Sequence, residues 1–330
     1  MSSKPGRGQL GGSLCLFLTA CIWGTAFVAQ SVGTEYVGAF TFNMSRSVLA
    51  GLVLLPVIAI SGRMKKNRGF SGGNGTETAG AGGNIAEKTA GKDEKPEKKQ
   101  LIAGGILCGI ALCVASNLQQ IGIAYTTVGK AGFITAMYII LVPVFSVFLH
   151  KKAGMKLWIS VVIAVAGLYL LCMTEGFSVA KGDLIVFLCA VAFSVHILAV
   201  SYFAPRVDGI KMSCIQFWTA AVISAAGMLI FEQPDPQALL DAWLPVCYAG
   251  VLSSGVGYTL QIVGQKDVNP TLASLIMSLE SVISVIAGWV LLHQTMGARE
   301  IAGCVLMFAA IILAQLPERR RDAAQEKATH

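Results

Sequence analysis

Ten apolar runs, most of them about 20 residues long, dominate this chain and constrain its fold more than any other feature. A hydrocarbon core about 30 Å thick is crossed by roughly 20 apolar residues in an α-helix. Because lipid offers no partner for backbone N–H and C=O groups, runs of this kind must be helical. The sequence therefore predicts an all-α membrane protein with ten transmembrane helices. The runs cover 13–32, 38–60, 101–125, 130–149, 156–174, 183–203, 211–231, 243–265, 270–292 and 297–316.

The composition excludes an ordinary soluble domain, because 55% of the residues are hydrophobic and only 13% are charged. The formal net charge of +7 lies in segments between the apolar runs, as expected of loops that face anionic lipids. A nucleic-acid partner is not predicted. Membrane lipids are the expected surroundings.

Lysine and arginine residues are distributed very unevenly between the two sides of the predicted membrane. If the N-terminus is cytoplasmic, 21 of the 25 basic residues lie in cytoplasmic segments, and Arg46 lies inside a span. The other side holds only Lys130, Lys181 and Arg299. Positively charged loops stay in the cytoplasm, so both termini are predicted to be cytoplasmic. Lys130, near a helix end, is expected to reach the interface with its ammonium group.

The second half of the chain resembles the first. Placing Trp23 on Phe193 aligns the first two spans with the sixth and seventh without a gap, and the same register places Arg46 on Gln216. Farther on, a second register places Gln119 on Gln261. Each unit has five spans, an odd number, so the second copy must have the opposite orientation in the membrane. Two inverted five-helix repeats are typical of secondary transporters.

The predicted organisation follows from this repeat. A cytoplasmic tail (1–12) precedes the first five-helix unit (13–174), and the second unit (175–316) precedes a cytoplasmic C-terminal tail (317–330). The first unit is interrupted by residues 62–100, which are rich in Gly, Lys, Glu and Thr and poor in large apolar residues. We expect this loop to be cytoplasmic and disordered.

Short motifs within the spans resemble the EamA-type transporters of the drug/metabolite transporter superfamily. They are residues 20–25 (Ala-Cys-Ile-Trp-Gly-Thr), Arg46, residues 182–184 (Gly-Asp-Leu) and residues 278–282 (Ser-Leu-Glu-Ser-Val). The resemblance implies a ten-helix carrier in the plasma membrane that moves small metabolites by alternating access, often outward. Ser281 stands where the family usually has proline, and residues 151–152 and 293–294 replace acidic residues that end the fourth helix of each half.

Ionisable side chains in the middle of a span are costly and therefore mark candidate functional sites. Glu280 lies near the centre of the ninth span, where a desolvated carboxyl favours its protonated form and could couple transport to protons. Arg46 could neutralise an anionic group of the substrate or pair with Glu280. Its aligned partner Gln216 is polar and uncharged, as expected of a binding site that has a cation on one side only.

Further candidates for contact with substrate are polar or aromatic residues inside apolar helices. Interhelical hydrogen bonding or packing is the alternative for each of them. Pro143 is expected to kink the fourth span and to act as a hinge. The remaining substrate candidates are Trp23, Asn117, Gln120, His196, Tyr258 and Gln261.

Several functions lack a signal in the sequence. There is no GxxxxGK[ST] loop for ATP and no HExxH motif, and the nine cysteines form no CxxC pattern, so neither a cofactor, a catalytic residue nor a metal is predicted. We expect a secondary active transporter that exports a small organic metabolite and uses protons, with an amino-acid-like solute as the hypothesis for its substrate. A passive facilitator, and a membrane-embedded enzyme, remain alternatives, and both a monomer and a homodimer are compatible with the sequence.

Overall fold

The structure is a computed structural model that describes residues 7–71, 83–148, 155–172, 179–203, 206–268 and 276–315. Within these residues there is no β-strand, and nearly all of the chain is helical. The helices are α1 (Arg7–Gly33), α2 (Ala39–Ser71), α3 (Gly83–Ile123), α4 (Val128–Ala136), α5 (Tyr138–Phe148), α6 (Met155–Cys172), α7 (Lys181–Phe203), α8 (Gly209–Phe231), α9 (Pro236–Asp241), α10 (Trp243–Cys247), a π-helical segment (Tyr248–Gly257), α11 (Tyr258–Asp267), α12 (Leu279–Leu292) and α13 (Ala298–Gln315).

Seven helical stretches of the described residues are long and apolar enough to cross a membrane. Their outer faces expose large apolar residues such as Val162, Val222 and Ile230, as helices in contact with lipid would. The seven stretches are Leu10–Gly33, Ala39–Ser61, Lys98–Ile123, Val128–Ser146, Met155–Cys172, Lys181–Val200 and Gly209–Phe231.

The three other predicted spans have a different form. The run 243–265 is divided among α10, the π-helical segment and α11. The run 270–292 contains the apolar helix α12, although its first residues lie outside the described part of the chain. The run 297–316 corresponds closely to α13.

Within the loop predicted over 62–100, the described residues 62–71 and 83–100 are helical, and the disorder of this loop stays a prediction. Helix α2 continues to Ser71, and α3 begins at Gly83. Alanine, lysine and glutamate in residues 83–100 have good helix propensity, so a helix forms there without a large apolar face. Residues 72–82, like residues 1–6 and the predicted tail 317–330, lie outside the described residues.

Glycine residues let α12 pack tightly between α1 and α4. A Cβ atom at Gly24 of α1 would lie 2.7 Å from the carbonyl oxygen of Glu280, and a Cβ atom at Gly132 of α4 would lie 1.9 Å from the Ser284 hydroxyl. Substituting either glycine would push α12 away. Because Glu280 lies near the start of α12, these two contacts fix its position in the bundle.

The π-helical segment packs on α2 through glycines in the same way. A Cβ atom at Gly250 would lie 2.7 Å from the Cβ of Leu49, and one at Gly255 would lie 2.7 Å from Val53. π-Helical turns bond residue i to i+5 and often occur at functional sites. The segment places Ser253 and Ser254 against α1 and α2.

The helix connections define two ends of the bundle. We name as the polar end the one that contains the connections 34–38, 124–127 and 232–235. We name as the cavity end the one where residues 206–208 join α7 to α8. Since α7 and α8 are joined by this short connection, the start of α7 lies at the polar end together with the end of α8.

Candidate functional site

A cavity of about 390 Å³ is lined by residues of α1, α2, α3, α4, α5, α7, α8, the π-helical segment, α11 and α12. Its volume falls within the range of sites that bind small molecules. Val200 and Gly209 line the cavity close to the cavity end. Ala26, Gln30 and Glu280 also belong to its lining.

Seven of the nine substrate candidates predicted from the sequence line this cavity. The exceptions are Asn117 and Gln120. The structure thus brings together side chains from six helical elements, although their action on a substrate stays a prediction. The seven are Trp23, Arg46, His196, Gln216, Tyr258, Gln261 and Glu280.

Glu280 is 4% exposed and accepts a hydrogen bond from the hydroxyl of Tyr138, with the two oxygens 3.0 Å apart. Tyr138 begins α5, directly after the helix is interrupted at Met137. Burial with one neutral donor leaves the charged form of this carboxyl only partly compensated.

Arg46 extends from α2 toward α1 and the π-helical segment. Its guanidinium donates to the Ser254 hydroxyl at 3.2 Å and to Gln30 Oε1 at 3.5 Å. The predicted alternative of an ion pair with Glu280 is not observed, since the ion pairs between described residues do not include Arg46.

His196 and Gln216 face each other across α7 and α8. The His196 Nε2 atom lies 3.2 Å from Gln216 Oε1, and the two side chains are 4% and 2% exposed. This hydrogen bond partly satisfies two buried polar groups, as the sequence alternative of interhelical bonding proposed. Both side chains nevertheless remain on the cavity lining.

Aromatic rings form a second part of the lining. The rings of Trp23 and Tyr258 have centroids 5.2 Å apart, and Tyr258 packs edge-on against Phe217 at 5.4 Å. The indole N–H of Trp23 donates to the carbonyl of Ser253 at 2.9 Å. Trp23 is therefore held rigidly, and its ring can present a flat apolar surface.

Asn117 and Gln120 take structural positions next to the cavity. Asn117 donates to Cys113 O and to the Ser224 hydroxyl, and accepts a hydrogen bond from Asn43. Gln120 donates to the carbonyl of Gln30 at 2.9 Å. Each amide is bonded to a neighbouring helix and neither residue is on the cavity lining, and their contact with substrate stays a prediction.

Pro143 lies inside α5, but the interruption of the fourth predicted span occurs at Met137, earlier in the chain. The break divides the span just before Tyr138. The helix is thus interrupted before Pro143, and both the kink and the hinge role of Pro143 stay predictions.

The cavity also contains polar residues that were not among the candidates. Gln119 donates to the Thr135 hydroxyl at 3.2 Å, and Gln30, Thr135, Tyr138 and Ser213 contribute to the lining. The same signal that selected the other residues, a polar side chain inside an apolar helix, would have found them.

Metal ligation has no basis in the described residues, which contain no group of three His, Cys, Asp or Glu side chains close enough to hold an ion. All nine cysteines are free thiols. The cavity can offer hydrogen bonds, one guanidinium, one carboxyl and aromatic surface to a ligand.

The polar end is closed by contacts between helices. Lys130 forms ion pairs with Glu300 at 2.7 Å and Asp183 at 3.9 Å, and Thr126 donates to Asp183. The carboxylate of Glu232, at the end of α8, accepts hydrogen bonds from the first residues of α2. Lys130, expected to reach the interface, is instead a 17% exposed partner of two carboxylates.

Comparison with known proteins places this architecture in a family. A chain from Archaeoglobus fulgidus described as an uncharacterized transporter is 26% identical over 314 residues, which cover 94% of this chain and 88% of its own. The uncharacterized transporter YoaV of Bacillus subtilis is 20% identical, covering 91% and 95%. A protein of known crystal structure superposes with a TM-score of 0.58 at 19% identity, covering 92% and 96%, which indicates a shared fold.

The model of the EamA-like transporter family matches residues 10–75, 85–173 and 180–316. These matches cover most of the chain, including the helices that line the cavity. Seven apolar helices of membrane-crossing length agree with this assignment. The chain is therefore a multi-pass integral membrane protein that belongs to the EamA-like transporter family.

Proposed function

We propose that this protein is a secondary active transporter that moves a small organic metabolite across the cytoplasmic membrane by alternating access, with export as its direction. The observation that carries the proposal is the cavity, because residues from both halves of the chain contribute to it in equivalent pairs. A site between two repeats is where such transporters bind their substrates.

The pairs follow from the two alignment registers of the sequence, one set by Trp23 on Phe193 and the other by Gln119 on Gln261. Most of the lining residues fall into pairs related by one of these registers. Such agreement supports two units of five spans (13–174 and 175–316) arranged around the cavity. The eight pairs are Trp23/Phe193, Ala26/His196, Phe27/Ile197, Gln30/Val200, Arg46/Gln216, Gln119/Gln261, Thr135/Met277 and Tyr138/Glu280.

Helix packing supports the same ten-helix arrangement. Helix α1 contacts α11 and α12, while its counterpart α7 contacts α3, α4 and α5. Helix α2 packs on the π-helical segment, while its counterpart α8 packs on α3. Exchanging the two halves would exchange α2 with α8, α4 with α12 and α6 with α13. The observed contacts within these three pairs are therefore unchanged by the exchange. A two-fold relation between inverted repeats produces this pattern.

The proposed orientation rests on the distribution of charge. The excess of basic residues supports a cytoplasmic location for both termini of the proposed plasma-membrane protein. The cavity end, with Arg206 and Lys211 nearby, would then face the cytoplasm, and the polar end would face outward. An exporter in this state is ready to load substrate from the cytoplasm.

Proton coupling is proposed for Glu280. Tyr138 falls on Glu280 if the register that places Gln119 on Gln261 is extended to the next span, and the two side chains, one from each proposed half, are hydrogen-bonded to each other. Movement of one half against the other would stretch this contact and change the environment of the carboxyl. Such a change alternately favours proton uptake and release.

The substrate is proposed to be small, with an amino-acid-like zwitterion as the specific hypothesis. The cavity of about 390 Å³ has one cationic side chain, Arg46, and one acidic side chain, Glu280, in its lining. If amino acids and related amines never compete for transport, this hypothesis about the substrate is lost while the transporter proposal stays.

The test is an untargeted comparison of metabolites in the medium of cells that overproduce the protein or its Glu280→Gln variant. We expect a compound that is enriched only by the unmodified protein, since glutamine cannot exchange a proton. Enrichment by both variants would leave transport in place and remove Glu280 from coupling. If neither changes the medium, the proposed export fails, and uptake of labelled metabolites becomes the next measurement.

A passive facilitator is the alternative for the same cavity. Proteoliposomes loaded with the identified compound distinguish the two, because a carrier shows saturation and counterflow. A membrane-embedded enzyme would instead convert the compound, which mass balance between the two compartments would reveal.

A further inference from the structure

Arg46 is a cation on the cavity lining whose hydrogen-bond partners are uncharged. Ser254 and Gln30 accept from its two terminal nitrogens at 3.2 and 3.5 Å. Within the described residues, the carboxylates that form ion pairs are Asp183 and Glu300, and both do so with Lys130 at the polar end. The positive charge of Arg46 is therefore not neutralised by the part of the chain that the structure describes.

An uncompensated charge inside a membrane protein is costly and marks a functional site. A guanidinium has five N–H donors in a planar fork that matches a carboxylate with two parallel hydrogen bonds. The contacts with Ser254 and Gln30 use two of these donors, and the Gln30 contact is long. Donors therefore remain for a ligand that enters the cavity.

The backbone holds this guanidinium in place. A Cβ atom at Gly250 would lie 3.0 Å from the carbonyl oxygen of Arg46, so α2 and the π-helical segment touch at this level. The close approach brings Ser254 within hydrogen-bond distance of the arginine. Because both partners lie on tightly packed helices, the fork is preorganised, which lowers the entropy cost of binding.

Aromatic surface lies on the same side of the cavity. Trp23 is fixed by its hydrogen bond to Ser253, the residue before Ser254, and its ring lies 5.2 Å from that of Tyr258. An organic group attached to an anion at Arg46 would meet these rings. The two features together describe a site for an anionic head and an apolar or aromatic body.

We propose, on the basis of the transport function proposed above, that Arg46 and Ser254 form the subsite for a single carboxylate of the substrate, with Trp23 and Tyr258 contacting its organic body. The aligned position in the other half is Gln216, so the cavity offers one cation and not two. A single carboxylate balances this charge. A dianionic phosphate would leave a net negative charge in a cavity that also contains Glu280.

The test uses the purified full-length protein in detergent, in a buffer without carboxylates, and three pairs of probes. These are L-phenylalanine, 3-phenylpropionate and L-leucine, each compared with its own carboxamide. Binding is measured from the concentration dependence of the thermal unfolding midpoint. The variants are Arg46→Gln and Arg46→Lys, with Arg299→Gln as the matched control, because Arg299 is exposed at the polar end.

At least one carboxylate should bind the unmodified protein about tenfold or more tightly than its carboxamide, as expected for a charge-assisted pair. Arg46→Gln should abolish this preference, Arg46→Lys should retain part of it, and Arg299→Gln should leave it unchanged. If no carboxylate stabilises the unmodified protein, or if Arg46→Gln keeps the preference, the subsite proposal is overturned.

Unfolding without a ligand separates this role from a structural one. Removal of an unneutralised cation should leave the midpoint of Arg46→Gln equal to or above that of the unmodified protein. A lower midpoint would assign Arg46 to holding Ser254 and Gln30 together and would overturn the proposal. Transport of a solute that has no carboxylate would also overturn it while leaving the proposed transport function intact, so the two failures are distinguishable.

Discussion

Two helix starts at aligned positions of the two halves have opposite surroundings. The start of α2 contains Phe42 and Asn43, which are 0% and 1% exposed and do not line the cavity. The aligned residues at the start of α8, Met212 and Ser213, line the cavity together with Gly209. Met212 and Ser213 are themselves only 2% and 6% exposed, so what differs is their place on the cavity lining, from which the aligned residues at the polar end are absent.

The difference lies in the source of the helix cap. Asp208, the residue directly before α8, caps this helix by accepting a hydrogen bond from Ile210 N at 3.1 Å. The start of α2 has Gly38 at the aligned position, where a Cβ atom would lie 2.2 Å from the Glu232 carboxyl carbon. A carboxylate from a distant helix replaces the local cap, so capping and closure of the polar end become one interaction.

The largest expected effect comes from Lys130→Met at the polar end. Asp183 is 1% exposed, and this substitution leaves its carboxylate without an ion-pair partner. We expect a loss of about 3 kcal/mol of stability, as is typical when one member of a buried pair is removed. Unfolding by sodium dodecyl sulfate measures it, with Arg299→Met as the exposed control.

A second substitution, Asp183→Asn, should recover much of the loss in the Lys130→Met background because it removes the unpaired charge. If Lys130→Met costs no more than Arg299→Met, the ion pairs do not hold the polar end closed.

Glu232→Ala tests the comparison of helix starts directly. The carboxylate accepts hydrogen bonds from Phe40 N at 2.8 Å, Thr41 N at 2.9 Å and the Thr41 hydroxyl at 2.6 Å. Losing them should cost about 2 kcal/mol. Hydrogen exchange of residues 39–43 should accelerate toward the rate of residues 209–213. Unchanged exchange at 39–43 would show that the carboxylate is not what closes this end.

Asp208→Ala should have the smallest effect. Its loss removes the local cap of α8, and we expect a cost of about 1 kcal/mol in stability. Exchange should increase at residues 209–213 and stay constant at 39–43. Faster exchange at both helix starts would mean that the two ends are coupled and that each cap does not act on its own helix alone.

Much of the cavity could be predicted from polarity alone. Arg46, Gln216 and Glu280 are polar residues in apolar helices, and such residues avoid lipid by facing the interior. The repeat sharpened this prediction, because alignment of Arg46 with Gln216 pointed to one shared site. The apolar runs predicted most helices with boundaries within a few residues.

The direction in which individual amide side chains point could not be predicted. Asn117 and Gln120 bond to neighbouring helices, and a single sequence does not reveal how a helix buried on most sides is rotated. The cap that Glu232 provides joins residues far apart in the chain, and the π-helical segment has no clear sequence marker. Lys130 was misjudged because its partners, Asp183 and Glu300, come from two other helices.

The eight residue pairs of the cavity predict what happens when the two halves are expressed as separate chains. The cation is contributed by the first half, as Arg46, and the acidic group by the second, as Glu280. A dimer of two first halves would have two arginines and no carboxyl at these positions, and a dimer of two second halves would have the reverse. Under the proposed repeat the two halves are complementary, and if expressed as separate polypeptides they should restore the proposed transport only when both are produced in the same cell.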